Sequence, residues 1–305
     1  MNPAVFHSGF VSIIGRPNVG KSTLLNQILR EKVAIISDKP QTTRNRILGV
    51  KNLPHAQIVL LDTPGIHKPK YKLNYRMVNV ALATLEEVDL IFFMVEATDA
   101  VSTGRIGPTI GSGDQYILER LKELKPPVFL VLNKMDLIKK EKTIPLVQEY
   151  TRRFKFAEVF PISALTGANV DRLMAVAADC LPEGEPFFPA DVVTDQPMRF
   201  VATETIREKI LHHTREEIPY SVAVVMEEFK EEPQKPVHIR AVILVERDSQ
   251  KGILIGKKGE MLKMVGTEAR IELEALLGTK VFLELWVKVQ KDWRQDENVL
   301  KELGY

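Results

Sequence analysis

The chain has 305 residues, 45% of them hydrophobic and 27% charged, the balance of an ordinary globular protein with room for two domains. A net charge of +2 argues neither for nor against a nucleic-acid partner, so any basic site must be local. The single cysteine, Cys180, excludes an internal disulfide, and no apolar run reaches the length needed to cross a bilayer.

The N-terminus shows neither a charged segment nor a long apolar core of the secretory kind, so the sequence predicts a cytosolic protein without a signal peptide or transmembrane segment. Cys180 reads as a small buried hydrophobe within a helix. From residue 8 to 180, apolar runs alternate with amphipathic segments, the pattern of an α/β domain with a mostly parallel sheet. The runs are Phe10–Ile14, Ala56–Leu61, Leu90–Val95, Val128–Leu132 and Val159–Pro161, with helices expected over Lys21–Arg30, Tyr71–Glu87, Gln115–Lys122, Thr143–Phe154 and Val170–Cys180. In such sheets ligands sit beyond the carboxyl ends of the strands, so the residues after each run carry the chemistry.

After the first run comes Gly15-Arg16-Pro17-Asn18-Val19-Gly20-Lys21-Ser22-Thr23. Its glycines let successive N–H groups turn toward phosphate oxygens, and the helix behind presents further unpaired N–H groups. Lys21 can reach the β- and γ-phosphates of a nucleotide, and the Ser22 hydroxyl can ligate Mg²⁺. The segment Asp38–Arg46 is polar and holds adjacent threonines. Thr43, in preference to Thr42, would give its hydroxyl to Mg²⁺ and its N–H to the γ-phosphate.

After Ala56–Leu61 comes Asp62-Thr63-Pro64-Gly65. A carboxylate at a strand end beside the phosphate loop is placed to hold Mg²⁺, and Gly65 can bring its N–H to the γ-phosphate. After Val128–Leu132 comes Asn133-Lys134-Met135-Asp136. A carboxylate at Asp136 can accept from both N1–H and the exocyclic amine of guanine. Adenine would leave that group unpaired. Asn133 and the stem of Lys134 would brace the loops and flank the base, while Ser163-Ala164-Leu165 lies where N–H groups could meet the guanine carbonyl. Thr98–Asp114, with four glycines and a proline, is long for a strand–helix connection. It reads as a surface insertion, the alternative being a partner-binding loop from which Arg105 would reach phosphate.

These motifs, in this order, resemble the translation-factor-like P-loop GTPase superfamily over residues 8–180. The resemblance implies Mg²⁺-dependent hydrolysis of GTP to GDP and phosphate, with Lys21, Thr43, Gly65 and Asn18 in catalytic roles. Ile66 stands where many relatives carry a water-orienting glutamine, so slow intrinsic hydrolysis is expected. Asn18 resembles the asparagine with which some relatives hold K⁺ beside the phosphates.

Leu181–Met198, with four prolines, reads as a linker of semi-rigid character on which Phe187 and Phe188 pack against one domain. The expected divisions are 1–181, a linker over 182–198, and 199–305. The second part reads as a helix over Phe200–Glu217, strands over Tyr220–Glu228 and Val237–Glu246, a helix from Glu260, a strand over Lys280–Lys291 and a terminal helix. Before the Glu260 helix stands Gly256-Lys257-Lys258-Gly259, whose glycines permit close approach of a nucleic-acid backbone and whose lysines supply positive charge. Ile253, Leu254 and Ile255 would line a groove for single-stranded bases. Loop and element order resemble a type II KH domain, a smaller α+β fold.

A GTPase domain joined to a C-terminal KH domain closely resembles a family of bacterial ribosome-assembly GTPases. That likeness implies binding of 16S ribosomal RNA near its 3′ end in the small subunit, control of binding by nucleotide state, a monomer, and at most peripheral association with the inner membrane face. The alternative is a GTPase whose second domain docks a protein partner; it has no need of an intact G-x-x-G with lysines.

Overall fold

A computed structural model describes residues 5–69, 71–97 and 110–305. Two compact units emerge, one reaching Asp195, the other holding Gln196–Tyr305 together with the short segments Ile35–Thr42 and Lys70–Asn74. The expected pair of folds, a mostly parallel α/β sheet followed by a smaller α+β domain, is what the chain forms.

In the first unit β1 (His7–Ile14), α1 (Lys21–Leu29), β2 (Ile47–Leu53), β3 (Ala56–Asp62), α2 (Lys72–Ala83), β4 (Leu90–Glu96), α3 (Ser112–Leu121), β5 (Val128–Asn133), α4 (Thr143–Thr151), β6 (Glu158–Pro161) and α5 (Val170–Cys180) follow in order. The sheet runs β2-β3-β1-β4-β5-β6, parallel throughout except for β2, which lies antiparallel to β3 at one edge. Every residue of β3 and β5 is buried, because helices cover both faces of a parallel sheet and leave no position for a polar alternation. The helices show the complementary pattern: α5 turns Val170, Leu173, Met174, Ala177 and Ala178 inward at i, i+3, i+4, i+7 and i+8. Its last residue, Cys180, is exposed rather than buried, since it falls off that stripe.

β2 is absent from the sequence expectations. Its residues Ile47-Leu48-Gly49-Val50-Lys51-Asn52-Leu53 fit neither a continuous apolar run nor a strict alternation, and pairing with β3 makes the strand. The expected Thr98–Asp114 insertion, including Arg105, lies outside the described residues as far as 109. From Ser112 onward the chain is already helical.

The stretch after α5 is strapped along the sheet edge. Ser8 N–H donates to Pro182 O at 3.0 Å, Val50 N–H to Val193 O at 2.8 Å, and the Thr194 hydroxyl to Leu48 O at 2.6 Å. The buried Gln57 amide exchanges two hydrogen bonds with the backbone of Phe188, and Phe187 lies 4.8 Å from Phe10, ring to ring. The expected linker is thus tied to the first unit through residue 194.

The second unit holds α6 (Met198–His213), α7 (Ile218–Ser221), β7 (Ala223–Lys230), β8 (Val237–Val245), α8 (Asp248–Ile255), α9 (Glu260–Leu277), β9 (Val281–Val289) and α10 (Glu297–Glu302). β7 is antiparallel to β8, and β9 is parallel to it. A parallel pair needs a crossover, which α8 and α9 supply. The core gathers Ile206, Ile210, Ile239, Ile243, Val265, Ala269 and Leu273.

Candidate nucleotide site and nucleic-acid groove

The carboxyl ends of β1, β3 and β5 deliver the phosphate loop, Asp62 and Asn133 to one edge of the first sheet. Within the loop, Lys21 is buried and its ammonium donates to Arg16 O at 3.0 Å and Gly15 O at 3.3 Å. Burial brings its pKa down to about 8, against the opposing pull of Asp62. Asn18, exposed in the loop, holds a left-handed φ of 66°.

Ser22, Thr43 and Asp62 converge. The Ser22 hydroxyl donates to Asp62 Oδ2 at 2.6 Å and lies 2.8 Å from the Thr43 hydroxyl, which is 3.5 Å from the same carboxylate oxygen. Thr42 turns elsewhere, its hydroxyl donating to Lys39 O at 2.6 Å. Asp62 Oδ1 is buried without a hydrogen-bond partner among the described residues. Burial lifts the Asp62 carboxyl to about 6, with Lys21 and the two hydroxyls opposing the rise. Two hydroxyls and a carboxylate, one of whose oxygens is buried without a partner among the described residues, form the hard-oxygen donor set that Mg²⁺ takes, so these residues fit that ion.

Thr63 anchors the next turn by donating its hydroxyl to Ile13 O at 2.9 Å. Pro64 follows, and Gly65 then approaches the loop so closely that a Cβ there would sit 2.6 Å from Pro17 N. Ile66 N–H donates to Gly15 O at 3.0 Å, and its side chain is fully buried in the core.

Asn133 ties three segments together. Its amide nitrogen donates to Val19 O at 2.8 Å, its amide oxygen accepts from Ala164 N–H at 2.8 Å, and its carbonyl accepts from Ala97 N–H at 3.0 Å. Lys134, at φ 64°, pairs with Glu96 at 2.7 Å. Asp136 stands exposed one turn beyond. The Ser163 hydroxyl accepts from Thr166 N–H at 3.2 Å, and Leu165 is exposed beside it. The arrangement leaves Asp136 and Leu165 open to a flat heterocycle, while Ser163 and Ala164 are buried with their N–H groups given to Ala168 O and Asn133 Oδ1.

In the second unit Gly256-Lys257-Lys258-Gly259 caps α9 as an exposed turn with both lysines in solvent. Gly256, Lys258 and Gly259 all take positive φ. Behind it lies an open groove of about 400 Å³ between α9 and β9, lined by Gly259, Leu262, Lys263, Gly266, Arg270 and Leu285 among others. The floor is apolar and the rim basic. Leu254 does not line it but is buried in the core, because residues 248–255 form α8. Ile253, exposed, lines a separate depression with His213, Arg215 and Arg247, and Ile255 is half-buried. The groove residues on α9 were within reach of the sequence: 259, 262, 263, 266 and 270 share one helical face with the loop.

Each domain matches a known family. Residues 10–134 match the family described as a 50S ribosome-binding GTPase, and residues 217–294 match the KH domain. The chain is 54% identical over 305 residues to the GTPase Era of Geotalea daltonii, covering all of both chains. It is 54% identical over 298 residues to the GTPase Era of Heliobacterium modesticaldum, covering 98% of this chain and 97% of that protein. Among solved structures, a tyrosine-to-alanine variant of Aquifex aeolicus Era bound to GDP·AlF₄⁻ matches with a TM-score of 0.92 at 46% identity, covering 98% of this chain and 99% of that one. Era in complex with MgGDPNP and nucleotides 1506–1542 of 16S ribosomal RNA matches with the same score, identity and coverage.

Proposed function

The chain belongs to the Era family of GTPases, and from that premise we propose that it is a GTP-driven switch that binds 16S ribosomal RNA near its 3′ end during small-subunit assembly. Hydrolysis of GTP to GDP and phosphate is the family's activity. In this reading Gly15–Thr23 cradle the phosphates, and Lys21 carries positive charge to the β- and γ-oxygens. Ser22, Thr43 and Asp62 hold Mg²⁺, which when bound neutralises charge on the phosphates. Gly65 offers its N–H to the γ-phosphate, while Asn133, Lys134, Asp136 and the 163–165 turn select guanine. With Ile66 buried, water is oriented by backbone and by the charges around the phosphates, and Asn18 supplies a ligand for K⁺.

One observation carries the RNA reading: an exposed Gly256–Gly259 loop with two lysines opening onto an apolar-floored groove that ends at Arg270. Phosphates meet the loop and bases lie against Leu262 and Leu285. The relative that holds nucleotides 1506–1542 of 16S ribosomal RNA supports the choice of target. Any membrane association is peripheral in this proposal; no helix among the described residues is long and apolar enough to cross a bilayer.

The test is binding to an RNA spanning the 3′ end of 16S ribosomal RNA, measured with GDP and with a non-hydrolysable GTP analogue. Tighter binding in the analogue state is expected, lost in Lys257→Glu/Lys258→Glu. Survival of RNA binding in that variant would move the second domain to the protein-docking alternative.

A further inference from the structure

We infer that Asp114, which stands on α3 outside the nucleotide-binding motifs, is a positioning residue for the phosphate loop and acts through Arg16 on Lys21. Arg16 belongs to the loop, yet its side chain runs out to α3, where Nε donates to Asp114 Oδ1 at 2.8 Å. The route crosses Gly113, where a Cβ would lie 2.5 Å from Arg16 Cδ, so the absence of a side chain at 113 opens the path. Asp114 is 1% exposed, and its other oxygen accepts a 2.9 Å hydrogen bond from the hydroxyl of Tyr150, itself 2% exposed on α4. A serviceable helix contact needs no charge here. Burying a carboxylate costs several kcal/mol unless its partners fix it in place, and what it returns is direction.

The direction matters because of what lies on the backbone at Arg16. Its carbonyl accepts from the Lys21 ammonium at 3.0 Å, and the next residue, Pro17, is the surface against which Gly65 packs. Tyr150, Asp114, Arg16 and Lys21 therefore form a chain of hydrogen bonds from α4 to the ammonium that meets the phosphates. Displacing Arg16 moves the acceptor that holds Lys21.

The inference rests on reading Lys21 as the phosphate-binding lysine, and that reading fails on its own terms if Lys21→Ala still binds nucleotide. The experiment compares Asp114→Asn, Arg16→Ala and the double variant in the full chain. It measures KM and kcat for GTP, release of a fluorescent GDP analogue, and nucleotide-free thermal midpoint. Asp114→Asn keeps the shape and the tyrosine bond but removes the charge. It should raise KM and quicken release about tenfold, the scale of one charge-assisted hydrogen bond. Arg16→Ala should match it, and the double variant should be no worse than Arg16→Ala, because both act through one link. A lowered thermal midpoint with KM and release unchanged, or losses that add in the double variant, would overturn the inference. Should Asp114→Asn fail to fold, Tyr150→Phe carries the same test with a smaller loss, about threefold, and unchanged release in that variant overturns the inference as well.

Discussion

Ser22 Oγ donates a 2.6 Å hydrogen bond to Asp62 Oδ2, while Asp62 Oδ1, buried in the same pocket, has no partner among the described residues. The carboxyl is held up at about 6 by burial. Because the folded value lies above the ordinary 3.8, the stability this group contributes is fully present below 3.8 and is lost as pH rises through about 6. At neutral pH the ionised form is a burden of order 2–3 kcal/mol on the nucleotide-free protein, which a bound cation relieves. Mg²⁺ enhancement of GTP affinity should therefore be large at about pH 7.5 and fall roughly tenfold per unit below about pH 6, as protons compete for the carboxylate. The ratio of GTP affinities with Mg²⁺ and with EDTA, titrated from about pH 5 to 8, checks this. In Asp62→Asn that ratio should be near one and flat with pH.

Asn133 holds the phosphate loop at Val19 and the base loop at Ala164 with one amide. Removing it leaves a buried carbonyl and a buried N–H unpaired, so Asn133→Ala should lose about 2–4 kcal/mol of stability together with GTP affinity. Asp136 is exposed and bonds only to the ligand in the proposed pose. Asp136→Ala should therefore lose at least about tenfold in GTP affinity with an unchanged thermal midpoint. Binding of GTP and GDP, set beside thermal melts, separates the two. An Asp136→Ala protein that melts early, or binds GTP normally, contradicts the assignment.

The contrast between these two residues shows what the sequence could and could not tell. The order of loops after apolar runs is a local pattern, so the phosphate loop, the Asp62 turn and the Asn133–Asp136 segment were legible from spacing alone, as were the helices with a clear 3.6-residue stripe. That Asn133 braces the loops was expected too, but its partners were not, because Val19 and Ala164 come together only when β1, β5 and β6 share a sheet. β2 escaped for the same reason, its identity residing in its pairing with β3. The packing of Phe187 in the strap over 182–194 was legible, but its hydrogen bonds to Ser8, Gln57 and Val50 were not, because those partners lie far away in the chain. In the second unit, Gly252 within Lys251–Ile255 disguised the end of α8 as groove lining, and the residues of α9 that line the groove were not singled out although their helical spacing follows the loop.

Asn18 stands exposed on the phosphate loop with the left-handed φ of 66°, and Ile66 leaves no side chain to orient water. If a monovalent cation completes the charge around the phosphates, GTP hydrolysis should run several-fold faster in KCl than in NaCl at equal ionic strength, and Asn18→Ala should abolish the difference while leaving GDP binding largely intact. Equal rates in the two salts would remove K⁺ from the mechanism.

The groove beside the Gly256–Gly259 loop offers the test that separates the two domains. Gly266 lies on its floor, where a Cβ would meet only Leu285 Cδ1 at the ordinary contact distance of 3.4 Å. A single methyl is thus tolerated by the fold, and Gly266→Ala should keep stability within about 1 kcal/mol of the parent or raise it by about that helix-propensity gain. A leucine at the same position reaches across the groove into the space proposed for bases. Gly266→Leu should therefore weaken binding of the 16S 3′-end RNA at least about tenfold and Gly266→Ala only slightly, with kcat and KM for GTP in the absence of RNA unchanged in both. RNA affinity measured for the pair, alongside GTPase rates, decides the matter: equal RNA affinity in the two variants would mean that bases do not lie between α9 and β9.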